Sequence, residues 1–81
     1  MKRHKVILEH TTQRTGWFGE LVKLTLFLDE DELNKLKECM IGHTGTIALY
    51  WFTHSNYCTR HHRYLIWNTF EEGEINITIK N

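Results

Sequence analysis

The chain predicts an α+β fold: a small, mostly antiparallel sheet in the order strand, strand, helix, strand, strand, strand, with the single helix packed on one face. Three observations carry that reading. Val22, Leu24, Leu26 and Leu28 alternate with Leu21, Lys23, Thr25 and Phe27. Ile75, Ile77 and Ile79 alternate in the same way with Asn76, Thr78 and Lys80. Both stretches show the period of two that a strand needs when only one of its faces is buried. Between them, Asp29 and Glu32 stand at the spacing of a capping box, ahead of a run with helical periodicity.

Lys5 to His10 places Val6 and Leu8 on one side and Ile7 on the other, which makes a first strand. Thr11 to Gly16 is polar and reads as a loop, with Trp17 and Phe18 following between Gly16 and Gly19. Leu21 to Leu28 is the second strand, its even-numbered face turned to the core. Asp29 then offers the acceptor that starts a helix, and Glu30 and Asp31 place negative charge at the positive end of the helix dipole. The inward stripe is Leu33, Leu36 and Met40, with Cys39 beside it and Gly42 as the stop.

Thr46 to Thr53 is apolar on both faces, Ile47, Leu49 and Trp51 against Ala48, Tyr50 and Phe52, as a central strand would be. After a polar loop from Ser55 to Thr59, Arg63 to Phe70 reads as a strand with Tyr64, Ile66 and Phe70 opposite Leu65 and Trp67. Glu71 to Glu74 makes a turn in which Gly73 is available for a positive φ, and the last strand is apolar on one face only. A helix of about 12 residues spans about 18 Å, against about 24 Å for five strands side by side. The helix therefore cannot shield the whole sheet and leaves the opposite face bare, with some of Tyr50, Phe52, Leu65 and Trp67 expected on that second face.

At 81 residues the chain is one domain spanning 1–81. A domain of that size buries only about 60% of its unfolded surface, so its core is thin. Hydrophobic residues at 41% and charged residues at 25%, with no proline and no low-complexity segment, argue that the whole chain folds. The first apolar run, Val6 to Leu8, is too short for a secretory leader or a membrane span, which predicts a soluble, cytoplasmic protein. Two cysteines are too few for a disulfide framework. Ten basic side chains balance ten acidic ones, which removes the general attraction for nucleic acid. The balance is local nowhere: residues 1–28 sum to +3, 29–38 to −3, 39–70 to +2 and 71–81 to −2.

Four constellations bear on function, most of them in the carboxylate-free stretch Cys39 to Phe70. Cys39, His43, Cys58 and His61 form two close-spaced pairs of the kind that hold zinc, but they lack a Cys-x-x-Cys unit, and Cys39 also fits the helix's apolar stripe. His54, His61, His62 and Tyr64 with Arg60 or Arg63 offer acid-base groups for a phosphate, with no carboxylate nearby in sequence to orient an imidazole. Tyr57, Arg60, His61, His62, Arg63 and Tyr64 interleave aromatic and cationic groups as surfaces that bind single-stranded nucleic acid do. Trp17 and Phe18, flanked by glycines, are large aromatics in an exposed place, where they plug either the protein's own core or a partner's pocket.

The sequence reading is therefore a non-enzymatic binding protein without cofactor or structural metal. It acts as an inhibitor, adaptor or regulator through a protein interface made by Trp17, Phe18, Tyr57, Arg60, Arg63 and Tyr64, and homodimerisation and a viral or mobile-element origin suit its size. The alternative is an RNA or single-stranded nucleic-acid module using residues 57–64.

Overall fold

The computed structural model describes residues 3–14, 18–70 and 74–80, with 11–14 and 18–20 described through their backbone. Alternating side chains make β1 (His4–Arg14) and β2 (Phe18–Leu28) a long antiparallel hairpin, in unbroken register from His4 opposite Leu28 to Arg14 opposite Phe18. β3 (Asn76–Lys80) adds to the other edge of β1, pairing antiparallel with Lys5 to Glu9. The sheet order is β2-β1-β3, so β1 is central and the outer edge of β2 is unpaired among the described residues.

Three helices lie between β2 and β3 in the chain: α1 (Glu30–Gly42), α2 (Gly45–Thr53) and α3 (Arg60–Thr69). The fold is thus α+β with an antiparallel sheet, as the sequence predicts, but it has three strands and three helices among the described residues. α1 starts where the sequence places it. Asp29 accepts the Glu32 N–H at 2.8 Å while the Glu32 carboxylate accepts from the Asp29 N–H at 3.5 Å, a reciprocal capping box. The helix stops after Gly42, with the His43 N–H donating to the Cys39 carbonyl at 3.1 Å.

The two strands expected at Thr46–Thr53 and Arg63–Phe70 are helices instead. In the first, Ala48, Leu49, Phe52 and Thr53 are buried while Ile47, Tyr50 and Trp51 are exposed, a helical spacing rather than an alternation. An apolar run of this length satisfies either period, and burial of one stripe against the core decides for the helix. In the second, Thr59 caps the N-terminus by accepting from the His62 N–H at 3.2 Å, and the inward groups His62, Ile66 and Phe70 recur every fourth residue. The loop expected at Thr11–Gly16 is also revised, since β1 runs on to Arg14. Trp17 and residues 71–73, where a turn is expected, lie outside the described residues.

The core lies on one face of the sheet. Val6 and Leu8 of β1, Leu26 and Leu28 of β2 and Ile75 just before β3 meet Leu33, Leu36, Leu49, Phe52, Ile66 and Phe70 from the helical layer and its end. Phe52 is therefore a central core residue, and Leu65 and Trp67 pack at the rim of that core. The uncovered face of the sheet carries Leu21, Phe27, Lys5 and Lys80 rather than the aromatics expected there. Burial fades along β2 from Leu28 and Leu26 to Leu24 and Val22, because the hairpin outruns the helices that cover its base. Eleven strand residues span about 36 Å, and the molecule measures 43 × 23 × 21 Å. Among the described residues, no helix is long and apolar enough to cross a membrane.

The junction of α2 with β3 is close-packed. Gly45 begins α2 at φ +48°, and a Cβ there would stand 2.7 Å from the Ile75 carbonyl oxygen. The next residue, Thr46, accepts the Ile75 N–H at 3.1 Å. Gly45→Ala meets both an unfavourable φ and a backbone clash, and it is expected to cost more than about 1 kcal/mol. For a domain of this size that lowers Tm by about 5 °C or more, and an unchanged thermal unfolding curve would refute the packing described for this junction.

Candidate interaction surface on the helical layer

Because α2 buries Ala48, Leu49, Phe52 and Thr53, its other side must present Ile47, Tyr50, Trp51 and, at its end, His54. These form a ring system. His43, from the end of α1, stacks on Trp51 at 5.7 Å between centroids with planes 16° apart. Trp51 meets Tyr50 edge-on at 6.1 Å, and Tyr50 meets His54 at 4.2 Å. The His54 Nδ1–H donates to the Tyr50 carbonyl at 2.8 Å, which ties the last ring to the helix end. Half of Trp51, half of Tyr50 and more than half of Ile47 remain exposed, at 52%, 51% and 55%. Beside this row, a groove of about 400 Å³ runs between α1 and α2 with Lys35, Cys39, His43, Trp51 and His54 on its walls.

Thr53 links the row to α3. Its hydroxyl accepts from Trp67 Nε1–H at 3.0 Å and donates to the Tyr50 carbonyl at 3.1 Å, while its own carbonyl accepts from Arg63 Nε–H at 2.7 Å. Arg63, expected at a partner contact, thus spends one donor on holding α2 against α3. Of the other expected contacts, Tyr64 and Tyr57 are exposed at 65% and 53%, and Lys35 Nζ lies 5.8 Å from the Tyr57 ring centroid. Arg60 and His61 stand exposed in the first turn of α3. Phe18 opens β2 opposite Arg14, and Trp17 lies outside the described residues.

The histidines expected to work together are separated by their partners. His62 turns inward, its Nδ1–H donating to Glu32 at 2.8 Å, and His54 bonds to its own helix. His61 lies 6.0 Å from His62 between ring centroids but faces solvent. Glu32 is the carboxylate that sequence proximity could not supply. It is 5% exposed, it comes from 30 residues upstream, and it also receives the Thr59 N–H at 3.5 Å. The set Cys39, His43, Cys58 and His61 is dispersed as well. Cys39 and His43 stand at the C-terminal end of α1, whereas Cys58 is buried beside Glu32 at the other end. Among the described residues, no group of three or more His, Cys, Asp or Glu side chains is placed to hold a metal ion.

Burial pushes the Cys58 thiol up to about 11, and the Glu32 carboxylate adds to the shift while Arg63 opposes it. Cys39 is raised too, chiefly by burial, but stays partly exposed. Neither is a thiolate near neutral pH, so neither offers a nucleophile. No protein-family model, no curated protein and no solved structure matches the chain. The surface therefore has to be read from its own chemistry.

That chemistry sets the behaviour of the thiols. At pH 7.5 a maleimide or disulfide reagent is expected to modify Cys39 slowly and Cys58 only on unfolding, and equal rates at the two sites would contradict the burial of Cys58. Because the folded thiol of Cys58 is raised from an ordinary value of 9.0 to about 11, the folded state holds its proton where the unfolded chain loses it. Its contribution to stability is full below pH 9 and is lost as pH rises towards 11, a decline that Cys58→Ser should reduce in denaturant titrations.

Proposed function

We propose that this protein is a non-enzymatic binding module, an inhibitor, adaptor or regulator, that docks on another protein through its helical layer. The observation that carries the reading is the row Trp51–Tyr50–His54, with Ile47 beside it, held rigid by ring contacts and by the Thr53 links yet left half exposed. Aromatic anchors fixed in one rotamer lose little entropy on binding and dominate interface energetics. Tyr57, Arg60 and Tyr64 extend the same layer with the aromatic and guanidinium groups in which interfaces are enriched. Absence of an enzyme activity is supported by the histidines' separate engagements and by the raised thiols.

A nucleic-acid role for residues 57–64 is less well supported, since helix α3 turns His62 to Glu32 and Arg63 to Thr53. This leaves Arg60 and His61 as the basic groups of that segment whose side chains make no hydrogen bond or ion pair among the described residues.

The test is recovery of partners from nuclease-treated extract of the native cell, followed by affinity measurements with the purified partner. Trp51→Ala is expected to weaken the complex more than tenfold while shifting Tm by less than about 2 °C, because the ring is half outside the fold. Affinity should change little between 0.15 and 0.5 M salt, as screening acts on charges and not on aromatic burial. A complex that nuclease destroys and salt dissolves would transfer the function to nucleic acid.

A further inference from the structure

The end of the sheet away from the hairpin turn holds a second concavity, of about 560 Å³, that shares no residue with the aromatic row. Four of the chain's ten basic side chains, Arg3, Lys5, Lys37 and Lys80, line it, although the chain as a whole is neutral. Among the described residues none of the four has a hydrogen-bond or ion-pair partner. The one carboxylate on its wall, Glu30, is held by His4, whose Nε2–H donates to it at 2.6 Å.

The register makes this arrangement costly to the free protein. Lys5 and Lys80 are direct cross-strand partners in the β1–β3 ladder, so two like charges face each other on one side of the sheet. Such pairs destabilise a sheet, and Arg3 and Lys37 on the same concavity bring no negative charge to relieve it. An anion seated beside them would offset that repulsion.

We propose that this concavity binds a compact ligand bearing two or more phosphate groups. Charge favours it, since four cations outnumber the one carboxylate, Glu30, on the wall and each phosphomonoester group carries about −1.5 to −2 at neutral pH. Arg3 offers the planar donor fork that fits phosphate oxygens, and the lysines supply point charges around it. Single-stranded nucleic acid is a poorer fit, because none of the lining residues is Phe, Tyr or Trp and the His4 ring is engaged with Glu30, so bases would find no stacking platform. The site is independent of the protein interface on the helical layer.

Titration of the full chain with inorganic triphosphate at constant ionic strength, followed by NMR, is expected to show saturable one-to-one binding that perturbs residues 3–5, 37 and 80. Lys80→Gln should weaken this binding about tenfold and, without ligand, raise Tm by about 2 °C. That opposition of stability and binding is not expected of a lysine with a structural role. Lys37→Gln, on the surface of α1 and outside the strand pair, should weaken binding by a similar factor at unchanged Tm. Vesicles carrying a multiply phosphorylated lipid headgroup distinguish the source: cosedimentation at higher affinity than free triphosphate assigns the ligand to a membrane, and its absence assigns a soluble one. No response beyond that to sodium chloride of equal ionic strength, or unchanged affinity in both variants, overturns the proposal. So does a single-stranded RNA oligonucleotide that binds there far more tightly than triphosphate.

Discussion

One buried carboxylate organises the helical layer. Glu32 closes the capping box that starts α1, accepts from His62 on α3, and lies against the N–H of Thr59, the cap of α3. The positive ends of two helix dipoles thus converge on a single negative group, an arrangement that compensates its removal from water. The same group fixes where α3 sits relative to α1. It adds to the rise that burial imposes on the adjoining Cys58 thiol, and it occupies His62, which is therefore not a free acid-base group. Because α3 is positioned from this junction, Trp67 and Arg63 arrive at Thr53, and through Thr53 the outer face of α2 is held in place.

The consequence is a neutral protein with segregated surfaces. Polar groups that need partners are consumed inside the helical layer, and the aromatics that the core has no room for are displayed on its outside. Four of the ten cations collect instead at the end of the sheet, where β1, β3 and α1 meet. Sheet pairing is what brings them together: β1 and β3 are separated by most of the chain, yet their antiparallel register sets Lys5 against Lys80.

Much of this was legible in the residues themselves, wherever the signal was local. The capping box at Asp29 and Glu32, the stripe of Leu33 and Leu36, and the one-sided alternation of β2 and β3 are each decided within a few positions, and each is found. Thr46 to Thr53 was not decidable that way. Its Ile, Tyr, Trp and Phe favour a strand, but its burial pattern exists only once the sheet is in place, and tertiary packing outweighs propensity. For α3 a local signal did exist: Thr59 is a good cap, and the spacing of His62, Ile66 and Phe70 is helical. The partnership of Glu32 with His62, across 30 residues, and the Lys5–Lys80 pair had no local trace at all.

The topology also sets the order in which the protein can be completed. β1 is the central strand, but the partner on one of its edges, β3, ends at Lys80, after all three helices have been made. During synthesis the hairpin and α1 can emerge and associate early, whereas Val6 and Leu8 keep one flank open until Ile75, Ile77 and Ile79 have left the ribosome. Between the synthesis of β1 and that of β3 the nascent chain therefore carries a central strand open on one edge. Lys5 and Glu9 on one side of that strand and His10 on the other leave it with polar groups while its β3 edge is open.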